Sequence, residues 1–301
     1  MGKILVVGLC CIDIINYIER FPEEDSDTRV FEQRTSLGGN AANTSVILNQ
    51  LDPNSYELFA SMPDSSILLK SLTQEQKINL RQIERANAEC PVSTVIVNES
   101  NNGSRTILHY RGNLPEILSS EFEKEFPSLD EYSWVHFEGR NFDETLKMVQ
   151  YCIKKRNPQL TRVSVELEKI RTFNWYEQLI SAVDLLFMSK DFAKHIGFNS
   201  MEEAVEGMYT KYNLNKTTII CPWAEKGVAA KESRDAPLIV QPAYCPPKVV
   251  DTLAAGDCFL AGVIYFLNLK RPLTEALEKS CLIAGRKCGQ KGLQNLDLSG
   301  L

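Results

Sequence analysis

The feature that most constrains the fold is a repeated alternation between short apolar runs and segments of helical periodicity. Apolar, β-branched runs recur at 3–8, 134–137, 163–167, 185–188 and 218–221, as expected for strands that are covered on both faces. Between them, apolar residues return at helical spacing, at Leu146, Val149 and Ile153 and again at Ala204, Met208 and Tyr212. Strands that alternate with helices indicate βαβ units, so we predict an α/β fold with a mostly parallel sheet.

One region departs from this alternation. Residues 91–99 (PVSTVIVNE) and 105–111 (RTILHYR) are typical of strands, and the Asn102-Gly103 step between them suits a tight hairpin reversal. We expect the stretch 28–35 to pair with this hairpin. Because a small sheet is marginal alone in water, we predict a lid that is covered by a partner, with a second subunit as the candidate.

These patterns divide the chain into two parts. We assign residues 1–12, 37–89 and 116–301 to an α/β core, and residues 13–36 and 90–115 to a β-sheet lid that doubles as a dimer clasp. The apolar run 4–12 is interpreted as one buried first strand that ends at Asp13. It is too short to span a bilayer, which takes about 20 residues, so we expect neither a membrane segment nor a signal peptide.

Charge and cysteine usage narrow the class of protein. The formal net charge of −6 repels phosphate backbones and argues against a nucleic-acid partner. The nine cysteines form no Cys-x-x-Cys pair, which argues against a zinc site and a disulfide framework and favours reduced thiols in the cytoplasm. The three histidines have no metal-ligand spacing and are interpreted as packed or surface residues.

The first segment that carries chemistry is 37–44 (LGGNAANT). Paired glycines allow close approach to the backbone, and the helix that follows presents free N–H groups. Asn40 and Asn43 share one helical face, and their amides can both donate to and accept from sugar hydroxyls. Taken alone, the segment is more typical of a glycine turn with an asparagine N-cap.

The second segment is 251–257 (DTLAAGD), which precedes the apolar stretch 258–267. Small residues before a helix leave its N–H groups free to hold an anion. Asp257 is interpreted as a general base beside that anion site, which phosphoryl transfer requires, or simply as a helix cap. The P-loop pattern G-x-x-x-x-G-K-[ST] and the dinucleotide pattern G-x-G-x-x-G are absent, so those two nucleotide-binding classes are excluded.

Together the two segments resemble the ribokinase-like, or phosphofructokinase-B, family of carbohydrate kinases. The late motif D-T-x-[AG]-[AG]-G-D and the early Gly38-Gly39-Asn40-x-x-Asn43 occur in the order that the family shows. The resemblance implies a doubly wound core with a β-sheet lid that clasps a second subunit. Further segments resemble the fructose-phosphorylating branch of the family, at 22–26, 103–108, 136–141, 163–169, 189–191, 223–225 and 284–289.

That resemblance implies transfer of the γ-phosphate of ATP to the C1 hydroxyl of D-fructose, with Mg²⁺ and K⁺. Asp257 would be the base, and the backbone of Ala254, Ala255 and Gly256 would hold the phosphoryl group. The sugar would bind to Asp13, Gly39, Asn40, Asn43 and, from a partner subunit, Asp25. The nucleotide would contact Arg105, Ala224, Glu225, Gly227, Pro246, Pro247, Cys281, Ala284 and Cys288.

Some positions depart from the pattern or leave it open. Ala254 stands where the family usually has glycine, so we expect a negative φ there. Lys226 follows Glu225 where the branch usually has a second acid, and the metal ligands stay unassigned. We expect only one of Glu166 and Glu168 to face the site, Cys258 to be an inert core thiol, and Arg105 to be either a phosphate ligand or a solvated strand residue.

Three alternatives remain open from the sequence. Another kinase of the family, acting on a different ketose, ribose or a nucleoside, has the same motifs. A non-catalytic sugar or nucleotide sensor would also have the fold, although the retained Asp257 argues against it. A nicotinamide-dependent dehydrogenase would need the glycine fingerprint that the chain lacks.

Overall fold

The computed structural model describes residues 2–101, 103–168 and 176–301. Within these ranges the strands are β1 (Lys3–Val7), β2 (Cys11–Ile18), β3 (Glu32–Gly38), β4 (Tyr56–Pro63), β5 (Leu80–Arg85), β6 (Val92–Asn98), β7 (Ser104–Tyr110), β8 (Tyr132–Glu138), β9 (Arg162–Leu167), β10 (Leu185–Met188), β11 (Thr218–Pro222), β12 (Val228–Lys231) and β13 (Ile239–Gln241). The α-helices are α1 (Asn40–Leu51), α2 (Ile67–Glu75), α3 (Ser119–Glu125), α4 (Phe142–Lys155), α5 (Tyr176–Ala182), α6 (Lys190–His195), α7 (Met201–Lys211), α8 (Ala255–Asn268) and α9 (Leu273–Cys288).

The larger sheet has the strand order β13-β12-β11-β10-β9-β8-β1-β4-β5. All neighbours from β11 to β5 run parallel, and only the two pairs made by β12 are antiparallel. The five apolar runs singled out in the sequence all lie in this sheet. The prediction of a mostly parallel α/β sheet is therefore confirmed.

The side chains of β1 show why the sheet is covered on both faces. Ile4 and Val6 pack into one apolar cluster with residues of α1, α8 and α9. Leu5 and Val7 pack into a second cluster with residues of α3, α4 and α7. Because alternate residues of a strand point to opposite faces, a continuous apolar run is what a doubly covered strand requires.

A second sheet of four strands has the order β3-β2-β6-β7. The hairpin β6–β7 forms as predicted, and Gly103 in its turn has a φ of 62°, while Asn102 lies outside the described residues. The expected pairing of residues 28–35 with the hairpin was wrong. The strand of that region begins at Glu32 and pairs with β2, which lies between it and β6 in a parallel pair with β6.

The run 4–12 is not one strand but the parts of two. β1 ends at Val7 in the larger sheet, and β2 begins at Cys11 in the smaller one. The hydropathy of the sequence does not reveal the break between the two strands at 8–10, because Leu9 and Cys10 are apolar. It is made by tertiary contact, since the Leu9 N–H donates to Glu138 Oε2 at 2.8 Å instead of continuing a strand ladder.

The strand order reverses beside β1, whose neighbours are β4 on one side and β8 on the other. In an open α/β sheet, ligands bind beyond the carboxyl ends of the strands at such a reversal. The segments following β1, β8 and β9 therefore frame the expected site. In the part of the chain that the structure describes, no helix has the length and apolar character needed to cross a membrane.

Candidate active site

The double glycine brings the sugar-motif residues into a tight turn between β3 and α1. A Cβ on Gly38 would overlap the carboxylate of Asp13, and one on Gly39, whose φ is 97°, would overlap the carbonyl of Leu9. Gly39 is the N-cap of α1 and Asn40 is its first residue, so the asparagine does not cap the helix. Its side chain is free to turn toward the site.

Asp13 lies in β2 of the smaller sheet, paired with Ser36 and Ser93. The prediction that Asp13 follows the first strand of the core was wrong, because that strand ends at Val7 and Asp13 lies within the next strand. Its carboxylate is 6% exposed and its Oδ1 accepts a hydrogen bond from Cys11 Sγ at 3.4 Å. The smaller sheet, and not the larger one, thus carries this acid over Gly38.

Asp257 is the third residue of α8 and does not cap it, because the N-cap is Ala254 and no side chain caps the helix. Asn43 Nδ2 donates to Asp257 Oδ2 at 2.8 Å. Two segments that are more than 200 residues apart in sequence therefore meet at one side-chain contact. Burial and the nearby charge of Glu168 raise the pKa of Asp257 well above its usual value.

The turn before α8 has the open backbone that an anion site needs. Gly256 is exposed, and a Cβ placed on it would meet no other group within 4 Å. Ala254 has a φ of 60° and a ψ of 14°, in the left-handed region. The expected negative φ was wrong, because the chain reverses here between Asp251, which is held in place, and the first turn of the helix.

A buried ion pair between Lys287 and Asp251 stabilises the turn before α8. Lys287 Nζ lies 2.9 Å from Asp251 Oδ2 and donates to the Asp251 carbonyl at 2.7 Å. The same carboxylate accepts from the N–H groups of Leu253 at 2.8 Å and Gly292 at 3.2 Å. Both charged side chains are fully buried, so the pair fixes the loop geometry without facing a ligand.

The lid reaches this turn through its hairpin. Arg105 Nη1 donates to Thr252 Oγ1 at 3.3 Å, and that hydroxyl donates to the Gly103 carbonyl at 3.0 Å. Arg105 is exposed on β7, and its positive charge lowers the pKa of Asp257 as a minor influence. The guanidinium therefore lies beside the anion turn and within electrostatic reach of the aspartate.

Three glutamates complete the site and were largely missed in the sequence. Asn40 Nδ2 donates to Glu168 Oε2 at 2.6 Å and to Glu166 Oε2 at 3.3 Å. The expectation that only one of the two faces inward was wrong, because residues two apart in a strand share a face. Burial, followed by the charges of Glu168 and Asp257, raises the pKa of Glu166 well above its usual value.

Glu138, the third glutamate, is a structural support for the turn that carries Asn40. Its Oε2 accepts from the N–H groups of Leu9 at 2.8 Å and Ala41 at 3.4 Å. Its Oε1 accepts from Arg140 Nη1 at 3.2 Å, and Arg140 in turn pairs with Glu116. The segment 136–141, noticed only for its resemblance, thus has a physical role in holding β1 and α1 together.

The residues expected to contact a nucleotide lie along one side of the molecule. Ala224 and Glu225 are exposed in a short 3₁₀ turn after β11, and Gly227 ends that turn with a φ of 98°. Pro246 packs on Gly289 at the end of α9. The α9 residues concerned, on one helical face, are Cys281, Ala284 and Cys288, while Pro247 is exposed beside Pro246.

Asp25, the sugar ligand expected from a partner subunit, has no role in the contacts described above. It is exposed, has a φ of 60°, and lies in the irregular connection between β2 and β3. Lys226 is likewise exposed, in the 3₁₀ turn. Cys258 is fully buried, and burial together with Asp257 raises the pKa of its thiol, as an inert core cysteine requires.

Comparison with known proteins gives one consistent result. The family model described as pfkB family carbohydrate kinase matches residues 1–299. The chain is 40% identical to ketohexokinase of Mus musculus over 300 residues, which covers 98% of each protein. The fructosamine kinase of Bacillus subtilis is 23% identical over 258 residues, covering 85% of this chain and 84% of that one.

Solved structures agree on the fold. The ribokinase of Giardia lamblia superposes with a TM-score of 0.83 at 17% identity, covering 97% of this chain and 95% of that one. The adenosine kinase of Sinorhizobium meliloti superposes with a TM-score of 0.81 at 20% identity, covering 98% and 96%. The predicted doubly wound, ribokinase-like fold with a small β-sheet lid is confirmed.

Proposed function

The chain belongs to the pfkB family of carbohydrate kinases, and we propose that it transfers the γ-phosphoryl group of ATP to the C1 hydroxyl of D-fructose. The observation that carries the proposal is the contact between Asn43 and Asp257 at the open turn of α8. This contact brings together the Asn43 amide, which can bind a polyol, the buried carboxylate of Asp257 and the backbone turn that can hold an anion. Fructose is favoured as the acceptor by the 40% identity to mouse ketohexokinase.

In the proposed mechanism, Asp257 accepts the proton of the C1 hydroxyl while the hydroxyl oxygen bonds to the γ-phosphorus. The bond from that phosphorus to the bridging oxygen breaks, and ADP leaves with the electron pair. The raised pKa of Asp257 makes it a stronger base than an ordinary aspartate. The N–H group of Gly256, with that of Ala255, which otherwise donates to the Thr252 carbonyl at 3.4 Å, lies at the positive end of α8 and stabilises the charge that spreads over the phosphoryl oxygens.

Substrate placement follows from the same geometry. We propose that Asp13, Gly39, Asn40 and Asn43 bind the sugar hydroxyls, since Asn43 donates to Asp257 and Asn40 lies one helical turn from Asn43. Arg105 is proposed to contact the ATP phosphates from the lid, beside the turn formed by residues 254–256. The adenosine part of ATP would lie along the surface of the remaining nucleotide residues, namely Ala224, Glu225, Gly227, Pro246, Pro247, Cys281, Ala284 and Cys288.

ATP use in the family is supported further by a ribokinase of Cryptococcus neoformans solved with ADP, which has the same fold at 18% identity. Mg²⁺ would neutralise the phosphates of ATP. In the described ranges, no group of three or more His, Cys, Asp or Glu side chains is arranged to hold a metal ion. Mg²⁺ is commonly held by substrate phosphates together with one or two carboxylates, and we propose that the phosphate oxygens of ATP are its main ligands.

The K⁺ that the family resemblance implies does not fit the buried acid beneath the turn. Asp251 is already neutralised by Lys287, and its oxygens are hydrogen bonded to two backbone N–H groups. No step of the proposed mechanism is therefore assigned to K⁺.

We also propose that two copies associate through their lids. The smaller sheet exposes apolar side chains on β7, with Leu108 at 59% and Tyr110 at 58% exposure on one face and Ile107 at 47% on the other. Such a group of exposed apolar side chains marks an interaction surface. Association through this sheet would give Asp25, which is exposed in its own chain, a route to the partner's sugar.

The test is a coupled ADP-release assay with Mg·ATP and a panel of fructose, tagatose, xylulose, ribose, glucose and adenosine. Fastest turnover on fructose, with the product phosphate located on C1 by NMR, supports the proposal. Turnover on ribose or adenosine alone keeps the kinase and rejects the fructose assignment. No turnover on any of them, from folded protein, favours the sensor.

The role of Asp257 is tested by Asp257→Asn, which keeps the shape and the contact to Asn43 but removes the base. We expect kcat to fall by about 10²- to 10⁴-fold, as for other general bases. Cys258→Ser, at the next position but facing the core, is the control and should keep kcat within a few-fold of the parent. A near-normal kcat for Asp257→Asn would show that Asp257 is not the general base.

A further inference from the structure

Glu168 occupies a fixed position beside the proposed sugar site. It directly follows β9, and its backbone carbonyl accepts a hydrogen bond from Ser189 Oγ at 2.8 Å. Its Oε2 accepts from Asn40 Nδ2 at 2.6 Å, a shorter contact than the 3.3 Å between the same nitrogen and Glu166. Glu168 is thus held to the sugar motif through its carboxylate and to the residue before α6 through its backbone carbonyl.

This contact decides which atom of Asn40 faces the ligand. Both hydrogens of Asn40 Nδ2 are donated to the two glutamates. The amide oxygen Oδ1 is therefore the atom that can bind a sugar hydroxyl, and it binds only as an acceptor. Asn43 is oriented in the same way by Asp257, to which its Nδ2 donates. The site therefore offers the Asn40 amide oxygen to the substrate, and acidic side chains accept hydrogen bonds from both amides.

The same helix places these carboxylates near Asp257, because Asn40, which donates to Glu166 and Glu168, lies one helical turn from Asn43, which donates to Asp257. Glu168 follows β9, Glu166 lies on β9 and Glu138 ends β8, while Arg105 on β7 contributes a positive charge that acts on Asp257 in the opposite direction. The neutral thiol of Cys258 follows on α8 itself. Burial is the main reason that the pKa of Asp257 is raised, and the charge of Glu168 is the next.

We propose that Glu168 is a positioning residue with two separable actions: its carboxylate orients the Asn40 amide toward the sugar, and its charge maintains Asp257 as an effective base near neutral pH. The inference rests on the proposed role of Asp257. It extends that role by assigning a function to a residue that contacts neither the transferred phosphoryl group nor the attacking hydroxyl.

The charge is tested with Glu168→Gln, which has nearly the same shape and keeps an oxygen that can accept from Asn40. Removing a negative neighbour lowers the pKa of Asp257. The acid limb of kcat/KM should therefore move to lower pH, by about 0.5 to 1 unit, with plateau kcat reduced a few-fold by the weaker base. The KM for sugar should stay within about twofold of the parent value.

The contact is tested with Glu168→Asp, which keeps the charge but withdraws the carboxylate from Asn40 by one methylene. Here the KM for sugar should rise about tenfold, the equivalent of one lost charge-assisted hydrogen bond. The acid limb should stay near its parent position. Glu123→Gln, which removes one carboxylate from the exposed surface of α3, controls for net charge and should change neither quantity.

The outcomes distinguish a failure of the role proposed for Glu168 from a failure of the role proposed for Asp257. An acid limb within about 0.2 unit of the parent in Glu168→Gln overturns the charge effect, and an unchanged sugar KM in Glu168→Asp overturns the positioning effect. If Asp257→Asn is itself active, the proposed base is wrong whatever Glu168 does. If Asp257→Asn is inactive and both Glu168 variants behave like the parent, only the inference on Glu168 fails.

Discussion

At the scale of single residues, Ala254 has a backbone conformation that its side chain disfavours, with a φ of 60°. A left-handed backbone costs a residue with a Cβ about 1–2 kcal/mol, and glycine avoids this cost. The turn tolerates the alanine because Asp251, held by Lys287, and the first turn of α8 fix the chain on either side. The strain lies beside the atoms proposed to hold the phosphoryl group.

We predict that Ala254→Gly raises the free energy of unfolding by about 0.5–1 kcal/mol, after allowing for the larger entropy of glycine in the unfolded chain. Urea unfolding followed by tryptophan fluorescence measures it. Ala255→Gly is the matched control, since Ala255 begins the helix and its φ is not positive. That variant should lose about 0.5–1 kcal/mol. If both variants are destabilised equally, the strain at Ala254 is absent.

The sequence identified the key residues of the site but not their backbone or their partners. Asn43 and Asp257 were chosen from local patterns, because small residues before an apolar helix predict an anion site. The conformation of Ala254 could not be predicted in this way, since tertiary contacts impose it against the local preference. The inward orientation of Glu166 and Glu168 was available from strand periodicity, but their common partner, Asn40, lies more than 120 residues away.

At the scale of elements, β2 is the strand that hydropathy alone could not separate. Its apolar residues continue those of β1 with only 8–10 between them, so the two strands resemble one run. Of the nine strands described in the larger sheet, β1, β8, β9, β10 and β11 were predicted from their apolar runs, whereas β4, β5, β12 and β13 were not. The smaller sheet was predicted only where the Asn102-Gly103 step marked a hairpin, and its order depends on contacts between distant segments.

A cluster around Lys291 joins the lid to the end of the chain. Lys291 Nζ lies 2.6 Å from Glu32 Oε2, 2.8 Å from Glu99 Oε1 and 4.1 Å from the centre of the Tyr17 ring. Burial disfavours its charge, yet the hydrogen bonds to both glutamates leave its pKa above the usual value. A permanently charged lysine therefore ties two parts of the smaller sheet to the segment after α9.

We predict that Lys291→Gln raises the KM for ATP about three- to tenfold, because two partly shielded ion pairs that hold the lid near the anion turn are lost. Steady-state kinetics with ATP varied at saturating sugar measures the effect. Lys147→Gln removes a similar pair, with Glu144 at 2.6 Å, on the exposed face of α4, and should leave the KM unchanged. Equal KM values for the two variants would mean that the Lys291 cluster has no part in ATP binding.

At the scale of the whole molecule, the exposed face of the lid predicts the state of association. We expect Leu108→Glu, at 59% exposure on β7, to convert a dimer of twice 34.0 kDa into monomers, since a buried unpaired charge is strongly disfavoured at an interface. Sedimentation velocity at micromolar concentration measures it. Leu160→Glu, at 64% exposure outside the lid, should remain dimeric. A parent protein that is monomeric throughout would contradict the clasp.

The attachment of Asp13 to the smaller sheet has a consequence for inhibitor design. Asn40 and Asp257 belong to the larger body of the protein, whereas Asp13 belongs to the sheet that covers it. A compound that binds Asp13 and Asn40 together would link the smaller sheet to the larger body of the protein. We expect such compounds to gain residence time more than association rate, because their escape requires the two sheets to part first.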